Sequence, residues 1–111
     1  MKIKQELLEK TFDHFNDLVF GGEIMPRPEL KVYSSKVNAG YFIGEPDDDG
    51  MPTMVIKVSK YYNKTYQDFC ETLLHEMVHC FQYIKHMPVD HGKGFKLMAK
   101  VIAKEIGMHI E

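Results

Sequence analysis

The residues best suited to chemistry lie in one short stretch, His75-Glu76-Met77-Val78-His79, an H-E-x-x-H pattern. If this stretch is helical, about 100° of turn per residue puts His79 only about 40° round from His75 and about 6 Å further along the axis. Two imidazoles so placed can converge on one metal ion. Glu76, about 100° away, flanks them without competing as a ligand. Two neutral imidazoles on an ion, with a carboxylate beside its water, are what a zinc hydrolase needs. The plainer alternative is a pair of histidines on a polar helix face. The amphipathic segment around the motif weighs against it.

A catalytic zinc site takes three protein ligands and keeps a fourth position open. The third must come from elsewhere. His86 lies on the same side, but about 10 Å beyond His79 along an unbroken helix, too far to share an ion. His91 follows Pro88, where the chain can fold back, and Gly92 and Gly94 permit a tight return. On spacing alone Asp90 is its rival. His14 and His109 have no partner at ligand spacing and read as surface residues. Cys70 would point about 140° away from His75 on the same helix, so it reads as a buried structural thiol.

The hydrolytic chemistry such a site supports is specific. Zinc acidifies its water toward a pKa of about 7 and polarises the peptide carbonyl. Glu76 would take the proton from that water and pass it to the leaving amine. A further donor to the developing oxyanion is expected. Tyr41, Tyr61, Tyr62 and Tyr83 are candidates that the sequence does not rank. An edge strand could bind an extended substrate, with Thr53 to Ser59 or Ala39 to Gly44 supplying it.

The elements that must position these groups follow from periodicity. Ile3, Leu7, Leu8, Phe12, Phe15, Leu18 and Val19 recur at three and four, and Gly21-Gly22 stops that helix. Three strand-like runs follow: Leu30 to Ser34, Ala39 to Gly44, and Thr53 to Ser59 with Met54, Ile56 and Val58 alternating. Glu45 to Gly50 reads as an acidic, solvated turn between the last two. A long helix opens at Thr65, with Asp68 at capping-box spacing, and Pro88 limits it at about Met87. Its apolar stripe is Phe69, Leu73, Met77, Cys80, Phe81 and Ile84. A loop from Val89 to Gly94 leads to a final helix carrying Phe95, Met98, Ile102 and Ile106, stopped by Gly107. The expected fold is α+β: a helix, a three-stranded antiparallel sheet, the helix bearing the motif, and a C-terminal helix.

Composition bounds the rest. A chain of 111 residues suits one domain, 1–111, with a modest core. A net charge of −2, with Arg27 the only arginine, argues against a strongly basic nucleic-acid binder. Lys93, Lys96, Lys100 and Lys104 nevertheless line one side of the last helix, either as a solvated face or as a weak DNA contact tracking phosphates. No apolar run is long enough for a membrane span, and the first residues do not form a secretion signal. Cys70 and Cys80, about 15 Å apart along one helix, should be reduced, which fits a cytoplasmic protein. They lie outside any C-x-x-C pattern, so a zinc ribbon is excluded.

Thr72-Leu73-Leu74-His75-Glu76-Met77-Val78-His79, followed twelve positions later by His91-Gly92-Lys93-Gly94-Phe95, resembles the SprT-like metalloprotease domain, the family of the Spartan protease, which degrades proteins crosslinked to DNA. Phe20-Gly21-Gly22-Glu23-Ile24 with Pro26, and Ala39-Gly40-Tyr41, are similar to its helix-to-strand turn and second strand. The resemblance spans roughly residues 10 to 107. It implies His75, His79 and His91 as zinc ligands, Glu76 as catalytic base, a minimal zincin core, and a zinc endopeptidase acting on protein or peptide substrates. Many members carry a zinc ribbon or other DNA-binding segment after this domain. The sequence holds no cysteines for a ribbon, so DNA contact would come from the core or from a partner. Metzincin spacing does not fit, because position 85 is Lys. A zinc-stabilised binding module that does not cleave is the competing expectation, and a purely structural site would not need Glu76.

Overall fold

The computed structural model describes residues 2–111. Its elements are α1 (Gln5–Phe20), β1 (Glu29–Tyr33), β2 (Gly40–Pro46), β3 (Pro52–Ser59), α2 (Tyr66–Ile84) and α3 (Lys93–Ile106). This is the expected α+β order. No helix among the described residues is long and apolar enough to cross a membrane.

The sheet corrects the sequence reading in one respect. Its order is β1-β3-β2 and it is mixed, not purely antiparallel. β2 and β3 form an antiparallel hairpin, with Phe42 opposite Ile56. Asp47 closes its exposed turn, its Oδ1 accepting from the N–H groups of Asp49 and Met51 at 2.9 Å each. β1, however, runs parallel to β3, with Leu30 beside Ile56. Apolar alternation is the same in both directions, so it cannot report strand polarity. The most apolar strand, β3, takes the central place and inserts between the other two. The connection from β1 to β2 is fastened by Ser59, whose Oγ accepts from Ser35 N–H at 3.1 Å and donates to the Ser35 carbonyl at 2.7 Å.

Met54, Ile56 and Val58 face the helices, as their alternation predicts, and meet Leu8 and Phe12 of α1 and Phe69, Leu73 and Met77 of α2 in one core. Leu18, expected in the α1 stripe, is exposed. Leu74 and Val78, absent from the expected α2 stripe, are fully buried. α2 packs against the sheet, α1 and α3, so more of its circumference is covered than one amphipathic stripe allows for.

The helix ends follow local chemistry. Gly21 and Gly107 stop α1 and α3 in the left-handed region, at φ 60° and 70°. Thr65 caps α2 by accepting from Asp68 N–H at 3.0 Å. α2 ends at Ile84, three residues short of the expected limit. His86, at φ 58°, takes the left-handed position a glycine usually fills. Met87 N–H bonds back to the Gln82 carbonyl at 2.9 Å and His86 N–H to that of Tyr83 at 3.2 Å, the paired closure of a Schellman motif. This early stop turns the chain before Pro88 is reached. α3 in turn begins at Lys93, within the expected loop.

Candidate metal centre

α2 presents His75 and His79 on successive turns, and the return loop brings His91 to them. The three Nε2 atoms lie 3.2 Å (His75–His79), 3.2 Å (His79–His91) and 3.0 Å (His75–His91) apart. Phe95, on the first turn of α3, backs all three rings, with centroids 4.9, 5.2 and 4.8 Å away. The donor set fits a metal ion: three imidazole nitrogens converge on one point. Their spacing is a little tighter than the ~3.3–3.4 Å that tetrahedral zinc with bonds of about 2.0–2.1 Å requires.

A residue absent from the sequence reading sets the tautomer. Gln82 Oε1 is 3.0 Å from His79 Nδ1, and its amide nitrogen donates to the Asp90 carbonyl at 3.2 Å. That second bond fixes which end of the amide faces His79. Nδ1 must therefore carry the hydrogen, leaving the Nε2 lone pair for the cluster. Gln82 is 1% exposed. The signal for it was its place three residues after His79, on the same side of the helix. Asp90, the spacing rival of His91, is occupied elsewhere: its carboxylate accepts from Gly92 N–H at 3.0 Å.

Electrostatics favour metal binding. Burial, with the like charges of His79 and His91 adding to it, holds His75 neutral down to about 4. Burial also lowers His79. Glu76 is buried, and desolvation pushes its carboxyl up to about 7. It makes no hydrogen bond or ion pair with any described residue.

Glu76 and His75 open on a cleft of about 580 Å³. Ala39, Gly40, Glu71 and Thr72 line it on one side; His109, Ile110 and Glu111 line it on the other. Gly40 is needed where it stands. A Cβ there would meet the Lys57 carbonyl at 2.7 Å and Thr72 Cγ2 at 2.9 Å, with Glu76 Cγ at 3.6 Å. Buried Asn63 ties this wall together. Its Nδ2 donates to the carbonyls of Ala39 (2.9 Å) and Ser59 (2.8 Å), and its Oδ1 accepts from the Thr72 hydroxyl at 2.6 Å.

Other candidates fall outside. His86 and His14 are exposed and not in the cluster. Cys70 and Cys80 are free, buried thiols, Cys80 pushed up to about 12 by burial. None of Tyr41, Tyr61, Tyr62 and Tyr83 lines the cleft. His109 is exposed, as expected, yet it does line it. Lys93, Lys96, Lys100 and Lys104 are all exposed and unpaired among the described residues. β3 is central, so Thr53 to Ser59 offers no free edge, whereas β2 keeps one.

A helix-borne H-E-x-x-H pair completed by a later histidine, on an α+β body, defines a zincin-like, metalloprotease-like domain. A comparison with protein-family models matches residues 8–111 to the SprT-like family, and the chain belongs to it. A comparison with curated proteins finds no match.

Proposed function

We propose that the protein is a zinc-dependent endopeptidase in which His75, His79 and His91 hold the ion and Glu76 is the general base. The observation that carries this reading is the pairing of three converging Nε2 atoms with the Glu76 carboxyl, which borders the same cleft and has no hydrogen-bond or ion-pair partner among the described residues. A largely buried carboxyl lining a cleft is the kind of group that concentrates at functional sites. A zinc-stabilised binding module would have no use for it.

Zinc, when bound, supplies a Lewis acid for the carbonyl and an acidified water as nucleophile. Glu76 takes the proton released as the peptide is attacked and delivers it to the leaving amine. Its position suits this task, because Glu76 lines the cleft beside His75, where the proton is released. The free edge of β2, whose first residue Gly40 borders the cleft, pairs with an extended peptide and draws its backbone past Glu76. Lys93, Lys96, Lys100 and Lys104 support a weak contact with DNA phosphates, which favours DNA-associated proteins as substrates. Charge reversal at Lys96 and Lys100 should then weaken salt-dependent DNA binding. Two reduced, buried thiols fit a cytoplasmic setting.

The test is Glu76→Gln. It should keep one zinc per chain and lose cleavage by about 10²–10⁴-fold. Equal cleavage by mutant and wild type would remove Glu76 from the mechanism.

A further inference from the structure

The cleft beside the three histidines has two walls of different origin. One is α2 with the start of β2. The other is the segment after α3. Gly107 turns the chain at φ 70°, and the residues beyond it alternate. Met108 and Ile110 pack against the core, while His109 and Glu111 are exposed. His109 thereby reaches the hollow that His75 and Glu76 line.

As a peptide carbonyl is attacked, its oxygen gathers negative charge, and a donor placed there is worth a large part of the rate. Few side chains in this cleft can donate. The Thr72 hydroxyl is committed to Asn63 Oδ1 at 2.6 Å. His75 belongs to the metal cluster. The carboxylates accept, and Ala39, Gly40 and Ile110 carry no polar side chain. The tyrosines are engaged elsewhere: Tyr41 packs on Tyr33 and lies under Lys57, and Tyr83 packs on Phe42. Tyr61 and Tyr62 border a separate hollow with Lys36 and Lys64. His109 remains, and its ring has no hydrogen-bond or ion-pair partner among the described residues.

We propose that His109 is a catalytic residue: a ring N–H donates a hydrogen bond to the scissile carbonyl oxygen as that oxygen takes up charge. The proposal rests on the endopeptidase reading above. The ring keeps its proton and forms no covalent bond; the proton traffic stays with Glu76. Met108 and Ile110, packed on the core either side, hold the backbone in place, while the exposed ring is free to settle on substrate.

The experiment uses the zinc-loaded full chain with fluorescein-labelled casein, comparing wild type, His109→Ala, His109→Gln and Glu76→Gln. His109→Ala should lower kcat about 10²–10³-fold with KM nearly unchanged and zinc content unchanged. His109→Gln, which keeps an N–H donor, should recover part of the loss. Independently of turnover, calorimetry should show His109→Ala weakening a phosphinate peptide, a mimic of the tetrahedral anion, by a similar factor. Wild-type kcat and phosphinate affinity in His109→Ala would overturn the proposal. So would a raised kcat, the sign of a segment that merely obstructs the cleft. A wild type no more active than Glu76→Gln would instead overturn the endopeptidase reading, and this role with it.

Discussion

Gln82 Oε1 sits 3.0 Å from His79 Nδ1, so a buried amide one turn along α2 dictates which nitrogen of that ring faces the other two histidines. The same amide reaches across to the Asp90 carbonyl and steadies the loop that delivers His91. One side chain thus orients two of the three histidines. Gln82→Leu should therefore weaken zinc binding by about 10–100-fold, measured by competition with a chromogenic chelator. Unaltered affinity would mean that ring packing against Phe95 alone sets the geometry.

Glu76 gives a prediction about protons. Burial favours its neutral form, raising it to about 7, so at pH 7 it is about half protonated without metal. A nearby dication favours the carboxylate instead. Zinc uptake at pH 7 should then release about half a proton from Glu76, and affinity should rise with pH through that range. Calorimetry in buffers of different ionisation enthalpy should show that release missing in Glu76→Gln. Identical release in both proteins would place the proton elsewhere.

Gly40→Ala places a methyl against the Lys57 carbonyl, which is backbone and cannot swing aside. We expect a loss of about 1–3 kcal/mol, read as a Tm drop of several degrees. Cleavage should fall further than stability alone explains, because the displaced strand borders the cleft that Glu76 lines. A Tm equal to wild type would show that the start of β2 relaxes freely.

Asn63→Ala removes three hydrogen bonds at once; the carbonyls of Ala39 and Ser59 keep the N–H groups of Ser59 and residue 63, but the Thr72 hydroxyl loses its partner. With one hydroxyl left unsatisfied, the loss should be about 1–3 kcal/mol. Denaturant unfolding of the metal-free protein checks this. A cost below about 1 kcal/mol would mean that water replaces Asn63.

Metal removal should be reversible and visible in stability. Free zinc at about 100 times its Kd stabilises the folded state by ~2.7 kcal/mol. Chelation should lower Tm accordingly, and His91→Ala should abolish most of that difference. A chelator-insensitive Tm would argue against a folded-state metal site.

The sequence made the convergence of the histidines legible because helix periodicity converts residue numbers into angles. His75 and His79 meet as the spacing predicts, and His91 reaches them through the loop past Pro88. Thr65, Gly21 and Gly107 announced their helix ends in the same way, since capping is local chemistry. The direction of β1 was not legible, because alternation carries no polarity. The early end of α2 was hidden by His86, which adopts a left-handed conformation with no glycine to advertise it. Gln82 and Asn63 act through bonds to backbone carbonyls distant in sequence. His109 reaches the cleft only through the path of the chain after α3.

α3 contributes only two buried residues, Phe95 and Ile102, and Phe95 rests on the histidine rings. His79 and His91 are twelve positions apart, a short loop whose closure costs little entropy. An ion held there acts as a rivet between α2 and α3 and leaves the sheet untouched. Losing it would free α3 as a separate cooperative unit. Amide hydrogen exchange should then quicken along Lys93–Ile106 while β3 and α1 keep their protection, so that metal occupancy is written into the dynamics of one helix.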